Sequence, residues 1–198
     1  MGIDLSAHEG QTPLDEDEKD GLRIPGLTTR GELDEFEQQN IEHAIQWTLS
    51  RSISASVLFS EHFIRQLHKR MYGDVWTWAG EFRKTNKNLG VDKWRIATEL
   101  RYLLDDVRYW DQNGLYTPDE LALRFKHRIV SIHCFPNGNG RHSRLLADLI
   151  VEKIYHQPIF TWGSSSLSNT NSSRNAYIQA VKAADNGVFT HLLRFART

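Results

Sequence analysis

The stretch His133-Cys134-Phe135-Pro136-Asn137-Gly138-Asn139-Gly140-Arg141, HCFPNGNGR at residues 133–141, decides how the rest of the chain is read. A helical apolar pattern runs into it. Thr117-Pro118-Asp119-Glu120 supplies a cap, a proline at the first helical position and a capping-box glutamate, and Leu121, Phe125, Ile129 and Ile132 follow at helical spacing. A second pattern leaves it near Arg141, through Leu145, Leu146, Leu149, Ile150 and Ile154. The stretch is therefore a tight junction between two helices.

Two readings of that junction stand side by side. Asn-Gly pairs are common turn formers, and the arginines after them could be solvated. Alternatively, a helix N-terminus presents unpaired N–H groups and positive dipole, and glycines let those groups converge on an anion. Arg141 and Arg144 share a face near the start of that helix, where cations oppose the macrodipole unless an anion offsets them. Two arginines suggest a polyphosphate. His133 ends the preceding helix, and its near-neutral pKa suits a general base toward an attacking hydroxyl. Base, anion hole and paired cations together would serve phosphoryl or nucleotidyl transfer.

Working outward, Thr29-Arg30-Gly31-Glu32 has capping-box spacing and introduces a helix carrying Leu33, Phe36, Ile41, Ile45 and Trp47 to about Arg51. Phe59, Phe63, Ile64, Leu67 and Met71 mark a second helix from about Ser56, stopped at Gly73. An irregular segment with a short hairpin near Asn86–Asp92 follows, then a helix over 95–112 ended by Asn113-Gly114. Beyond a Ser-rich loop at 163–168, helices over 172–185 and 188–197 complete the set. The expected fold is mainly α, a helical bundle over 28–198. Residues 1–27, with the acidic run Asp15-Glu16-Asp17-Glu18, read as an extended, loosely packed arm.

Composition narrows the function classes. Of 198 residues, 39% are hydrophobic and 25% charged, which is globular rather than disordered. Lys plus Arg (24) nearly balance Asp plus Glu (25), so no global field draws the chain to nucleic acid or an anionic membrane, and phosphate binding must be local. One cysteine excludes an intrachain disulfide framework, no apolar run approaches a membrane span, and no secretion signal opens the chain; a cytoplasmic protein is expected. The histidines show no zinc-ligand spacing with Cys, and no Walker lysine loop is present. Gly2 to Ser6 fits a myristoylation pattern and Asn171-Ser172-Ser173 a glycosylation acceptor; both patterns are short enough to arise by chance.

His133-x-Phe135-x-x-Gly138-Asn139-Gly140-Arg141-x-x-Arg144 resembles the signature of the Fic/Doc family. "HKRMYGDVWTWAGEFRKTN" resembles the segment before that family's flap, and "NKNLGVD" falls where the flap hairpin lies. With "TTRGELDEFEQQNI" the chain is most similar to the subgroup called mobile mystery protein B. The resemblance implies an all-helical enzyme that transfers AMP from ATP to a Ser, Thr or Tyr hydroxyl of a target protein. His133 would be the base, the amides of Gly138, Asn139 and Gly140 would hold phosphates, and Arg141 and Arg144 would bind them. Phe135 would anchor the loop, and the flap residues Asn86, Lys87, Asn88, Leu89, Gly90 and Val91 would pair with an extended target segment.

The family's proline after the histidine is Cys134 here, and the acidic residue before the first glycine is Asn137. A carboxylate there would bind Mg²⁺, so Asn137 is a weaker metal candidate: its amide oxygen brings no charge. Cys134 reads as a small packed residue rather than a nucleophile. Thr28-x-x-x-Glu32 fits most of the family's inhibitory motif, whose glutamate blocks the second arginine, but it fits the capping box equally; Glu37 ranks behind it. The alternatives are a Doc-like phosphotransferase or a nucleotide-binding module of a toxin–antitoxin or mobile-element pair, with a small DNA-binding regulator encoded nearby as partner.

Overall fold

The computed structural model describes residues 15–163 and 170–198. The Gly2–Ser6 pattern, most of the Ser-rich loop and the side chains of Asn171-Ser172-Ser173 lie outside the described residues. The described chain is mainly helical: α1 Glu16–Lys19, α2 Arg30–Leu49, α3 Ala55–Leu58, α4 Glu61–Tyr72, α5 Ile96–Asn113, α6 Pro118–Ile132, α7 Asn139–Leu149, α8 Thr170–Asp185 and α9 Thr190–Arg197. A 3₁₀ turn precedes α5, and a π turn at Ile150–Ile154 prolongs α7.

Local chemistry sets these ends. Thr29, Ser60 and Thr117 cap α2, α4 and α6 through their hydroxyls, and Gly114 closes α5 in the left-handed region at φ 59°. The centre is α4 against α7 and α6 against α7, with α2 outside α4, α5 beside α6, and the α8–α9 pair closing on α6. Phe63, Ile64, Leu67, Met71, Phe125, Ile129 and Leu146 are buried between them, each contributing roughly 1.5–3 kcal/mol. Phe36 and Ile45, read as part of the apolar face of α2, are instead largely exposed. The buried stripe is Leu33, Glu37, Asn40, Ile41, Ala44 and Thr48, a helical repeat that includes polar positions. Asn40 explains its own place: its Nδ2 donates to Arg70 O at 3.1 Å and its Oδ1 accepts from Asp74 N at 3.0 Å.

Two segments depart from expectation. Residues 15–27 are packed rather than loose. Arg23 N donates to Val75 O and Thr77 N to Gly21 O, Leu22 forms an isolated bridge with Trp76, and Trp78 Nε1 donates to Glu18 O at 2.9 Å. The flap forms no hairpin: among the described residues 86–92 carry no strand. Asn86 closes the loop instead, its Nδ2 donating to Asp92 at 2.9 Å and its Oδ1 accepting from Lys93 N at 2.8 Å. The backbone of the segment turns sideways, Arg83 N to Cys134 O and Val91 N to Ile132 O, so its pairing partner is the junction itself.

Candidate active site

His133 caps α6 in the left-handed conformation, φ 57°, ψ 62°, so the chain turns sharply before the glycines. Phe135 fills the space under the loop, fully buried and stacked on His68 with centroids 3.8 Å apart. His142 meets Phe135 edge-on at 5.2 Å. Asn139, the first residue of α7, turns its amide inward: Phe135 N donates to its Oδ1 at 3.0 Å and its Nδ2 donates to Phe135 O at 2.8 Å. The loop is thus closed on itself by one buried side chain.

Gly138 sits at φ 77°, and a Cβ there would lie 2.5 Å from the Tyr72 ring, so both conformation and space demand glycine. Gly140 differs: a Cβ would meet nothing within 4 Å. The backbone there faces open space, as an approaching anion requires. The intrahelical ladder begins with His142 N donating to Gly138 O, leaving the amides of Asn139, Gly140 and Arg141 at the N-terminus of α7. The Gly138 amide is already engaged, donating to Asn137 Oδ1 at 2.6 Å.

That contact bears on a metal. Asn137 turns its side-chain oxygen to a backbone amide and its carbonyl to His68 Nε2, and among the described residues no group of three or more His, Cys, Asp or Glu gathers where an ion could be held. These residues do not themselves make a magnesium site.

Burial, then the nearby Arg83 and Lys87 charges, push the His133 pKa down to about 4, so its imidazole is neutral at pH 7. Cys134 is fully buried and its thiol pushed up to about 12, which removes thiolate chemistry. Burial first, then the neighbouring His142, holds His68 well below its ordinary value; its Nδ1 accepts from Gly80 N at 3.0 Å, which puts its proton on Nε2.

The carboxylate at the arginines is Glu37. It is 2% exposed, accepts from Arg141 Nη2 at 2.6 Å and from Trp76 Nε1 at 2.7 Å. Glu32 is exposed and takes the capping-box role that its spacing offered, accepting from Thr28 N at 2.9 Å and Thr29 N at 3.0 Å, away from the arginines. The signal for Glu37 was present in register, because it stands four residues after Leu33 and four before Ile41 on the buried stripe of α2.

Arg144 lies over the Tyr177 ring, 5.0 Å from its centroid, and its buried Nε has no partner. Lys126, fully buried, donates to the Tyr177 hydroxyl and lies 4.6 Å from the same ring. Burial opposes ionisation of that phenol, but the Lys126 charge prevails and holds it below its usual range. Lys126 and Tyr177 gave no motif, only an ordinary helical lysine and a tyrosine far along the chain. Two cavities of about 590 and 610 Å³, both lined by Arg23, Gln66, Lys69 and Gly73, hold none of Glu37, Lys126, His133, Gly138, Gly140, Arg141, Arg144 or Tyr177.

Residues 58–151 match the Fic/DOC family. The chain is similar to the protein adenylyltransferase Fic of Drosophila grimshawi, 28% identical over 136 residues, covering 67% of this chain and 26% of that protein. It is 26% identical to that of Culex quinquefasciatus over 152 residues, 72% of this chain and 29% of that protein. The chain thus spans about a quarter of the length of these curated relatives. Among solved structures it resembles Fic-1 (residues 134–508) of C. elegans with TM-score 0.69 and 22% identity, over 90% of this chain and 51% of that one. It also resembles BepC of Bartonella tribocorum with bound AMPPNP, TM-score 0.66 and 15% identity, over 92% and 97%. Helix, loop, histidine, glycines and arginines all fall inside residues 58–151, the segment that matches the Fic/DOC family.

Proposed function

We propose that this protein transfers AMP from ATP to a Ser, Thr or Tyr hydroxyl of a target protein, with His133 as general base. The observation that carries the reading is the neutral His133 one loop away from an open helix N-terminus bearing Arg141 and Arg144. In the step, His133 takes the proton of the target hydroxyl and the oxygen attacks the α-phosphorus. The bond from that phosphorus to the bridging oxygen breaks, pyrophosphate leaves, and a phosphodiester forms. The amides opening α7, with Arg141 and Arg144, neutralise charge on the phosphates; Asn137 adds no charge, and no step is assigned to magnesium.

Glu37 on Arg141 occupies a cation that the phosphates require, so this chain is held off until that ion pair opens. The site fits the family pattern of inhibition by a carboxylate, here on the first arginine. The segment 86–90 receives the target through its backbone, while both backbone groups of Val91 are taken by Ile132 and Arg83. A cytoplasmic setting, the mobile mystery protein B subgroup and a small DNA-binding regulator as partner belong to the same reading, on the sequence resemblance alone.

The test is label transfer from α-³²P-ATP and, separately, γ-³²P-ATP to protein in a lysate, with wild type, His133→Ala and Glu37→Gly. Label from the α position, lost in His133→Ala, supports the reading. Label from the γ position alone would replace it with phosphotransfer.

A further inference from the structure

We propose that Arg83 is a positioning residue of the transfer, which fixes the base and the flap in one register so that a hydroxyl laid along the flap meets the His133 imidazole; this rests on the transferase reading above. Arg83 is 3% exposed, and each nitrogen of its guanidinium donates to a backbone carbonyl. Nε donates to His133 O at 2.7 Å, Nη1 to Thr85 O at 2.8 Å, and Nη2 to Val91 O. Its backbone N donates to Cys134 O at 2.9 Å. One side chain therefore holds the carbonyl of the base and both limbs of the flap.

The fork geometry is what the task requires. Three divergent carbonyls are matched by a rigid planar donor, whereas a lysine offers a compact point charge on a flexible stem. The guanidinium makes no ion pair among the described residues: carbonyl dipoles meet its donors and only longer-range attraction to Asp92 and Glu18 helps balance a buried charge, an expensive arrangement for mere packing. It also offsets strain, because the left-handed conformation of His133 is unfavourable outside glycine. Gly90 completes the coupling. At φ 96°, its added Cβ would lie 2.6 Å from His133 Cβ and 2.9 Å from Arg83 Nη2, so the flap lies directly on the base with no side chain between.

The experiment compares wild type, Arg83→Lys and Arg83→Gln by NMR titration of the His133 imidazole and by steady-state transfer to protein. Among the described residues, Arg83 and Lys87 are charged groups that act on that imidazole. Arg83→Gln removes one of them, and the midpoint moves up from about 4 toward 6.5. Arg83→Lys keeps the charge and loses the fork: the midpoint stays, kcat for the protein target falls on the order of 10²-fold, and nucleotide affinity is unchanged. An unmoved midpoint in Arg83→Gln, or full kcat in Arg83→Lys, would overturn the proposal; should Arg83→Gln not fold, Arg83→Lys carries the test. Absence of transfer in wild type would sink the transferase reading instead, and hydrogen exchange at the Val91 amide then decides the coupling: faster in Arg83→Lys supports it, unchanged refutes it.

Discussion

His133 is neutral because it is buried beside two cations, and that has a kinetic signature. Only the unprotonated imidazole accepts a proton, so kcat/KM for the free enzyme should stay flat from neutral pH downward and fall through an acid limb near pH 4. A limb near 6.5 would show that the histidine is solvated. Glu37 and Glu32 make a paired prediction. Glu37→Gly should raise α-label transfer while lowering stability by roughly 1–3 kcal/mol, since the buried Trp76 Nε1 loses its acceptor while Arg141 can turn to solvent. Glu32→Gly should leave transfer unchanged and lower the melting temperature slightly, because the capping box loses its carboxylate while the Thr29 cap stays. The sequence exposed both glutamates but ranked them by motif; the helical register of α2 ranks them by burial. Lys126 was illegible for a different reason, because its environment is assembled from α6, α7 and α8.

At the scale of the element, the start of α7 separates structure from binding. Gly138→Ala forces a Cβ into Tyr72 at a positive φ and should destabilise the protein. Gly140→Ala meets nothing within 4 Å, so its melting temperature should match wild type while ATP affinity falls about tenfold, measured by calorimetry. Equal affinity would remove Gly140 from the phosphate site. The helices around this loop were legible because caps and apolar periods coincide, most plainly at Thr117-Pro118. The flap was not: the break in helical spacing suggested a hairpin near Asn86, yet the amides of Arg83 and Val91 pair with the carbonyls of residues 134 and 132, far away in sequence. A local pattern cannot reveal a distant partner.

Across the whole molecule, three buried histidines tie stability to pH. His133 and His142, with pKa values near 4 and 3, and His68, also well below 6.5, stay neutral when folded and bind protons below about 6.5 when unfolded. The unfolded chain therefore binds more protons, and stability present above pH 6.5 is lost as pH falls toward 4, by roughly a few kcal/mol in sum. Asp148, raised to about 6 by burial, works in the opposite direction and only partly offsets them. Melting temperatures across pH 7 to 4 check the sign. The fold class and the 133–144 site were readable from composition and motif, but the N-terminal segment was not, because its acidic run looks solvated until Lys87 is placed. Lys87, 4% exposed in its side chain, is held by Asp15 and Glu18, and Thr85 donates to Glu18. Those acids thereby act as a latch on the entrance from some seventy positions upstream in the chain. A pull or a proteolytic cut there would reach the loop beside His133 mechanically; added salt would screen the exposed Asp15 arm but do little to the shielded Lys87–Glu18 pair.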